Sequence, residues 1–196
     1  SDKGVQNVVW LFTTNVSVFT SNGSFLVKPE DFKGVKIRGL EPSFNASLEA
    51  LGAAPSSMSG SKVYQALATN VIDAGLTDVS AAVSRKYFEV QDHFTVVPVI
   101  SVYFHGYVNP TWYDSLSEKN RAALDRAGKT AAAMAIDASI EASADAPDTL
   151  RSKGSNVHIA TDAEIKALEA VMRPAFDAKF KGNDDASKLI ELIAKM

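Results

Sequence analysis

The chain has no cysteine, which excludes thiol catalysis, disulfide staples and cysteine-based zinc sites. Long apolar runs are also missing. The longest, Phe94 to Tyr103, is interrupted by Pro98 and reaches only about half of the ~20 residues that a membrane-spanning helix needs. Nor is there any excess of positive charge: 20 Lys and Arg against 23 Asp and Glu leave a formal net charge of −3. No basic run is interleaved with aromatics, so nucleic acid is not an expected partner. The opening Ser1-Asp2-Lys3-Gly4 lacks a following apolar stretch, so an exported protein would already have lost its leader. Chemical motifs are scarce too. There is no Gly-x-Ser-x-Gly elbow and no phosphate-cradling Gly-x-x-x-x-Gly-Lys, and His93, His105 and His158 do not fall at a metal-ligand spacing.

What remains is an ordinary globular composition, 46% hydrophobic and 22% charged over 196 residues, long enough to bury a proper core. The β-branched and aromatic runs at 8–12 and 16–20 read as strands. A turn at 29–34 leads into strand Val35–Arg38. Ser43 can cap a helix to about Leu51 that stops at Gly52 and Pro55, and Ser61 starts a second to about Thr69. A strand at 71–75, a helix from Asp78 to Phe88, and two strands meeting at Pro98 within 93–108 follow. A long Ala-rich helix at 117–146 is expected to end at Pro147. Thr161 and Glu164 form a capping box, with Pro174 kinking the helix that follows and a last helix at 184–196. Short strands alternating with helices predict an α/β fold with a mostly parallel sheet and flanking helices.

In such sheets ligands gather at the carboxyl ends of strands. Asn15, Arg38 and the Leu76-Thr77-Asp78 turn all fall at such ends. Arg38 presents five N–H donors in a rigid fork suited to a carboxylate. The Asn15 amide can donate and accept. Thr77 follows a strand, and Asp78 either meets the ligand or caps the next helix. Ser59 and Gly60 lie in a loop where a missing side chain leaves room, and His105 would face the cleft from a strand that crosses between lobes. With no cysteine and no histidines at a ligand spacing, no metal and no cofactor is expected.

Five pieces occur in a fixed order: Pro29 to Arg38, Leu51 to Pro55, Val63 to Asp73, Lys86 to Val90, and Trp112 to Leu116. Together they resemble the solute-binding proteins of tripartite ATP-independent periplasmic (TRAP) transporters over about residues 12–180. The resemblance implies a periplasmic-binding-protein-like fold and a periplasmic location. It implies a small carboxylate ligand held by Arg38, delivery to membrane permease subunits, and no catalysis. Many relatives carry a second arginine three residues after the Asn15 position, where this chain has Val18. Set on the chain, the resemblance implies one nearly complete ligand-binding lobe from 1–98 and 171–196, and hinge strands, long helix and a partial second lobe from 99–170. A truncated chain would expose apolar surface, with a homodimer, domain swapping or poor solubility as the expected consequences. The alternatives are an enzyme on a similar scaffold, with His105 or Asp78 as base, and a ligand-sensing domain.

Overall fold

The computed structural model describes residues 4–14 and 16–193. In chain order these form β1 (Gln6–Thr14), β2 (Ser17–Ser21), a 3₁₀ turn (Pro29–Phe32), β3 (Lys36–Gly39), α1 (Pro42–Ala50), β4 (Ala54–Ser57), α2 (Gly60–Ala68), β5 (Gly75–Asp78) and α3 (Val79–Ser84). A second 3₁₀ turn (Tyr87–Glu89) precedes β6 (His93–Val97), β7 (Val102–Val108), α4 (Pro110–Ser115), α5 (Glu118–Ser152), β8 (Asn156–Ile159), α6 (Asp162–Ala178) and α7 (Asp184–Ile193).

Strands β5, β2, β6 and β8 hydrogen-bond in that order, while β3 pairs with β4 and joins the β5 edge through an Ile37–Ala74 bridge. β3–β4, β6–β8 and that bridge are parallel, as the sequence pattern predicts, whereas β2 runs antiparallel to both β5 and β6. The sheet is therefore mixed around β2. The reason lies in the crossing. β2 brings the chain into the sheet and β6 carries it out at the same end, so the two must lie side by side in opposite directions. Their outward continuations, β1 and β7, pair antiparallel with each other as a ribbon.

Successive side chains of a strand point to opposite faces, and β2 is buried throughout. Phe19 joins a cluster with Phe32, Ile37, Leu48 and Leu168 under α1 and α6. Val18 joins one with Val63, Tyr87, Phe94 and Leu150 under α2, α3 and the end of α5. Helices thus cover both faces. Val18 is fully buried, which accounts for an aliphatic residue at the position where the resemblance implies an arginine.

Several boundaries differ from the sequence pattern. α5 does not end at Pro147 but runs on to Ser152. Pro147 is buried in it, and Ala146 and Leu150 anchor this last stretch in the core, so tertiary packing outweighs the missing N–H. The strand expected at 71–75 sits three or four residues later, after a left-handed Asn70. Helix α3 stops at Ser84, because Lys86 turns the chain with positive φ. Ala54–Ser57, expected only as the end of a helix, pairs as β4. The capping box at Thr161 and Glu164 is present.

β1 packs on β7 and α5, while β8 extends the main sheet beside β6 and α6 lies on α1. The ribbon–α5 body leaves aromatic surface uncovered: Trp10, Tyr103, Tyr107 and Trp112 are each about half exposed or more.

Candidate functional site

Arg38 lies in the last turn-facing half of β3, after the core residue Ile37. Its backbone N–H donates to Ala74 O at 3.0 Å, which fixes the strand against the β5 edge. Alternation then sends the arginine away from the Ile37 cluster, and the side chain is 9% exposed. Nε donates to Met58 O at 3.4 Å and Nη1 donates to Leu76 O at 2.8 Å. Of the five guanidinium N–H groups, two are used in this way and three remain. Nη2 is not a buried orphan, and Arg38 lines a cavity of about 350 Å³. No carboxylate pairs with it among the described residues. Burial pushes its pKa below the usual arginine value, Tyr87 partly offsets this, and the Arg85 guanidinium adds to it. A positive group held this way by carbonyl dipoles alone is set to gain from an anion.

The cavity walls come from both bodies. The sheet side supplies Arg38, Thr77, Asp78 and Arg85, and the ribbon and α5 supply Thr13, Ile100, Val102, Phe104 and Ser139. Thr13 Oγ1 donates to Val102 O at 2.9 Å and Ser139 Oγ donates to Phe12 O at 3.0 Å, so these hydroxyls tie the ribbon and helix together.

Among the residues singled out from sequence, Arg38, Thr77 and Asp78 line one cavity. Thr77 is buried, with its hydroxyl accepting a 3.5 Å hydrogen bond from Arg85 Nη1. Asp78 takes the capping role: Oδ1 accepts from Ser80 N, Ser80 Oγ and Ala81 N at 2.6–3.2 Å. Ser59 is exposed at the start of α2, with its hydroxyl 3.0 Å from that of Ser61, and does not line the cavity. Gly60 does leave room, but the space above it is filled by the Arg85 guanidinium, which a Cβ there would overlap. His105 stands apart from the cleft. It stacks on Trp10 at 5.0 Å between rings, on the outer ribbon face, while its neighbour Phe104 points into the cavity. The Pro98–Ser101 connection resets the register between β6 and β7 and so decides that orientation. Asn15 lies outside the described residues.

Sequence reasoning missed Arg85. It belongs to none of the quoted motifs and follows a helix whose end, at the left-handed Lys86, is not announced by a glycine or proline. The enzyme alternative loses both of its candidate bases to geometry, since Asp78 is committed to the helix start and His105 faces away.

A helix-covered sheet continued by a two-stranded ribbon, with a buried arginine that meets no acid among the described residues at the cavity beside both, is the arrangement expected of a solute-binding protein. The family of bacterial extracellular solute-binding proteins, family 7 (DctP), matches residues 2–183, and the chain belongs to it. Its members are solute-binding proteins rather than enzymes, and membership makes this a periplasmic protein. The chain is 32% identical over 184 residues to the C4-dicarboxylate-binding periplasmic protein DctP of Rhodobacter capsulatus, covering 89% of this chain and 53% of that one. A solute-binding protein of Albidiferax ferrireducens is 26% identical over 97% of this chain and 57% of its own. The chain thus spans about half the length of these curated relatives.

Among solved structures, a TRAP periplasmic solute-binding protein of Desulfovibrio salexigens superposes with a TM-score of 0.89 at 20% identity, covering 100% of this chain and 63% of that one, and shows the shared fold. A TRAP protein of Ralstonia eutropha with bound (S)-2-acetolactate gives a TM-score of 0.85 at 27% identity, over 100% of this chain and 64% of its own. One from Roseobacter denitrificans with bound β-D-glucuronate gives 0.86 at 26%, over 98% and 63%.

Proposed function

We propose that this chain forms the ligand-capturing part of a TRAP-type receptor that binds a small organic acid and delivers it to a membrane permease. One observation carries the reading: Arg38 is buried at the cleft wall, is oriented by two backbone carbonyls, and keeps three N–H groups that no acid among the described residues meets. A carboxylate seated there replaces an uncompensated buried charge with a bidentate pair, each charge-assisted bond being worth about 1.5–3 kcal/mol. Relatives support the chemistry. The Ralstonia and Roseobacter proteins hold (S)-2-acetolactate and β-D-glucuronate, and the Rhodobacter relative binds C4-dicarboxylates, all of them carboxylates. We assign the β2–β6 sheet with β8 and α6 to one lobe, and the β1–β7 ribbon, α4 and the first half of α5 to the other. The segment 98–101 is a hinge, and closure excludes water from the Arg38 contact. No bond is made or broken.

Thermal-shift screening of organic acids tests the reading. Acids that raise the melting temperature of the wild type should lose that effect in Arg38→Ala, and most of it in Arg38→Lys, which keeps the charge but not the fork. Acids that stabilise all three proteins equally would remove Arg38 from the site. Turnover of any screened compound would return the enzyme alternative.

A further inference from the structure

The cleft holds a second guanidinium. Arg85 follows α3, and the left-handed Lys86 then turns the backbone down into the core residue Tyr87. That turn leaves the Arg85 side chain free to reach back over the start of α2, where Gly60 offers no Cβ to block it. Its Nη1 donates to Thr77 Oγ1, one residue along β5 from the carbonyl that Arg38 Nη1 uses. The two cations are therefore moored to consecutive residues of one strand, about 3.3 Å of chain apart. Neither meets a carboxylate among the described residues.

The one acid on the same cavity wall, Asp78, has its Oδ1 engaged by Ser80 and Ala81. Burial first, and then repulsion from the Arg85 guanidinium, hold the Arg38 pKa down. Two like charges facing one cavity are costly unless something negative comes between them.

We infer that Arg85 is the second anion-binding residue of the cleft and that it selects ligands carrying two acidic groups, namely short dicarboxylates, over monocarboxylates of the same shape. This inference rests on the Arg38 reading above and goes beyond it. One carboxylate takes the Arg38 fork. The other takes Arg85, and the Thr77 hydroxyl, which accepts from Arg85, keeps its own proton to donate between them. Val18, buried in β2 beside Thr77, offers no cation, so selection for the second charge falls to Arg85 at the end of α3. Gly60 is a positioning residue: it acts through the room it leaves for Arg85.

Calorimetric titration of the full-length protein tests this with malonate, succinate and glutarate, each paired with its monomethyl ester. The ester removes one charge and adds only a methyl group. The wild type should bind the best-fitting diacid about 10–100-fold tighter than its ester, the amount that one charge-assisted hydrogen-bonded contact supplies. Arg85→Gln should bring the diacid down to about the ester's affinity. Gly60→Ala should narrow the ratio in the same direction, since the added methyl displaces the guanidinium without changing any charge. Arg85 is exposed, so its replacement leaves the core intact, and Arg85→Lys should keep part of the preference.

A wild type that binds ester and diacid alike would overturn the inference, as would a preference that survives Arg85→Gln. Arg38→Ala separates the two readings. If it abolishes ester binding while Arg85→Gln changes nothing, the carboxylate clamp stands and the dianion inference falls. If it changes neither ligand, both fall.

Discussion

Arg38 illustrates how one side chain can be both a liability and a purpose. Burial of an arginine without an acid costs folding free energy that Met58 O and Leu76 O return only in part. A ligand anion supplies the rest, so binding and stability are linked at this residue. Glu164 shows the opposite arrangement, a charge satisfied within the fold. Its Oε2 accepts from Thr161 N at 2.7 Å and lies 2.8 Å from His158 Nε2. The Thr161 amide first, and then His158, hold its pKa at about 2, below the ordinary 4.5. A carboxyl depressed by folding adds stability that is complete above its unfolded pKa and disappears as pH falls through the folded one. The melting temperature should therefore drop between about pH 4.5 and pH 2. Glu164→Gln, which keeps an acceptor but cannot titrate there, should flatten that part of the profile. An unchanged slope in the variant would mean that other carboxyls govern the acid limb.

At the level of elements, α5 is the member that both bodies share. Its early part lies against β1 and its end packs beside α3 and β8, and over 35 residues it is about 50 Å long. The close approach to the ribbon depends on Gly128, where an added Cβ would strike the Val8 carbonyl oxygen. Gly128→Ala brings two opposing effects. Helix propensity favours alanine by about 1 kcal/mol, but forcing a methyl against backbone costs roughly 1–3 kcal/mol, because a strand cannot rotate away as a side chain can. The clash should win, and circular dichroism melts of the variant should show a lowered midpoint. A raised midpoint would mean that helix and ribbon separate at little cost.

The element pattern was largely legible in the residues. The pair of strands flanking Pro98, the Thr161–Glu164 box and the β3 strand that carries Arg38 all follow from local rules. The errors arose where tertiary contacts overrode those rules: α5 runs through Pro147 because Ala146 and Leu150 are anchored in the core, and Ala54–Ser57 becomes a strand only because β3 lies beside it.

For the whole molecule, the cavity matters because its walls belong to two bodies: Arg38, Thr77 and Arg85 on one side, Ile100, Val102 and Phe104 on the other. A ligand that bridges them should slow amide hydrogen exchange on both, at 36–39 and 75–78 and also at 100–104, when a stabilising acid is saturating. Protection confined to the sheet side would mean that the ligand docks on a single lobe without drawing the ribbon in.

The residue order alone determined the class of fold, the family and the strand-end arginine, because each depends on short-range periodicity or on a motif contiguous in the chain. Only the tertiary structure decided which residues share the cleft. It turned His105 outward by the register that restarts after Pro98, committed Asp78 to a helix start, and set β2 against its neighbours by routing the chain in and out at one end. It also brought Arg85 over Gly60 to face Arg38. Those outcomes rest on register, turn handedness and the close approach of segments distant in sequence, none of which a linear pattern encodes.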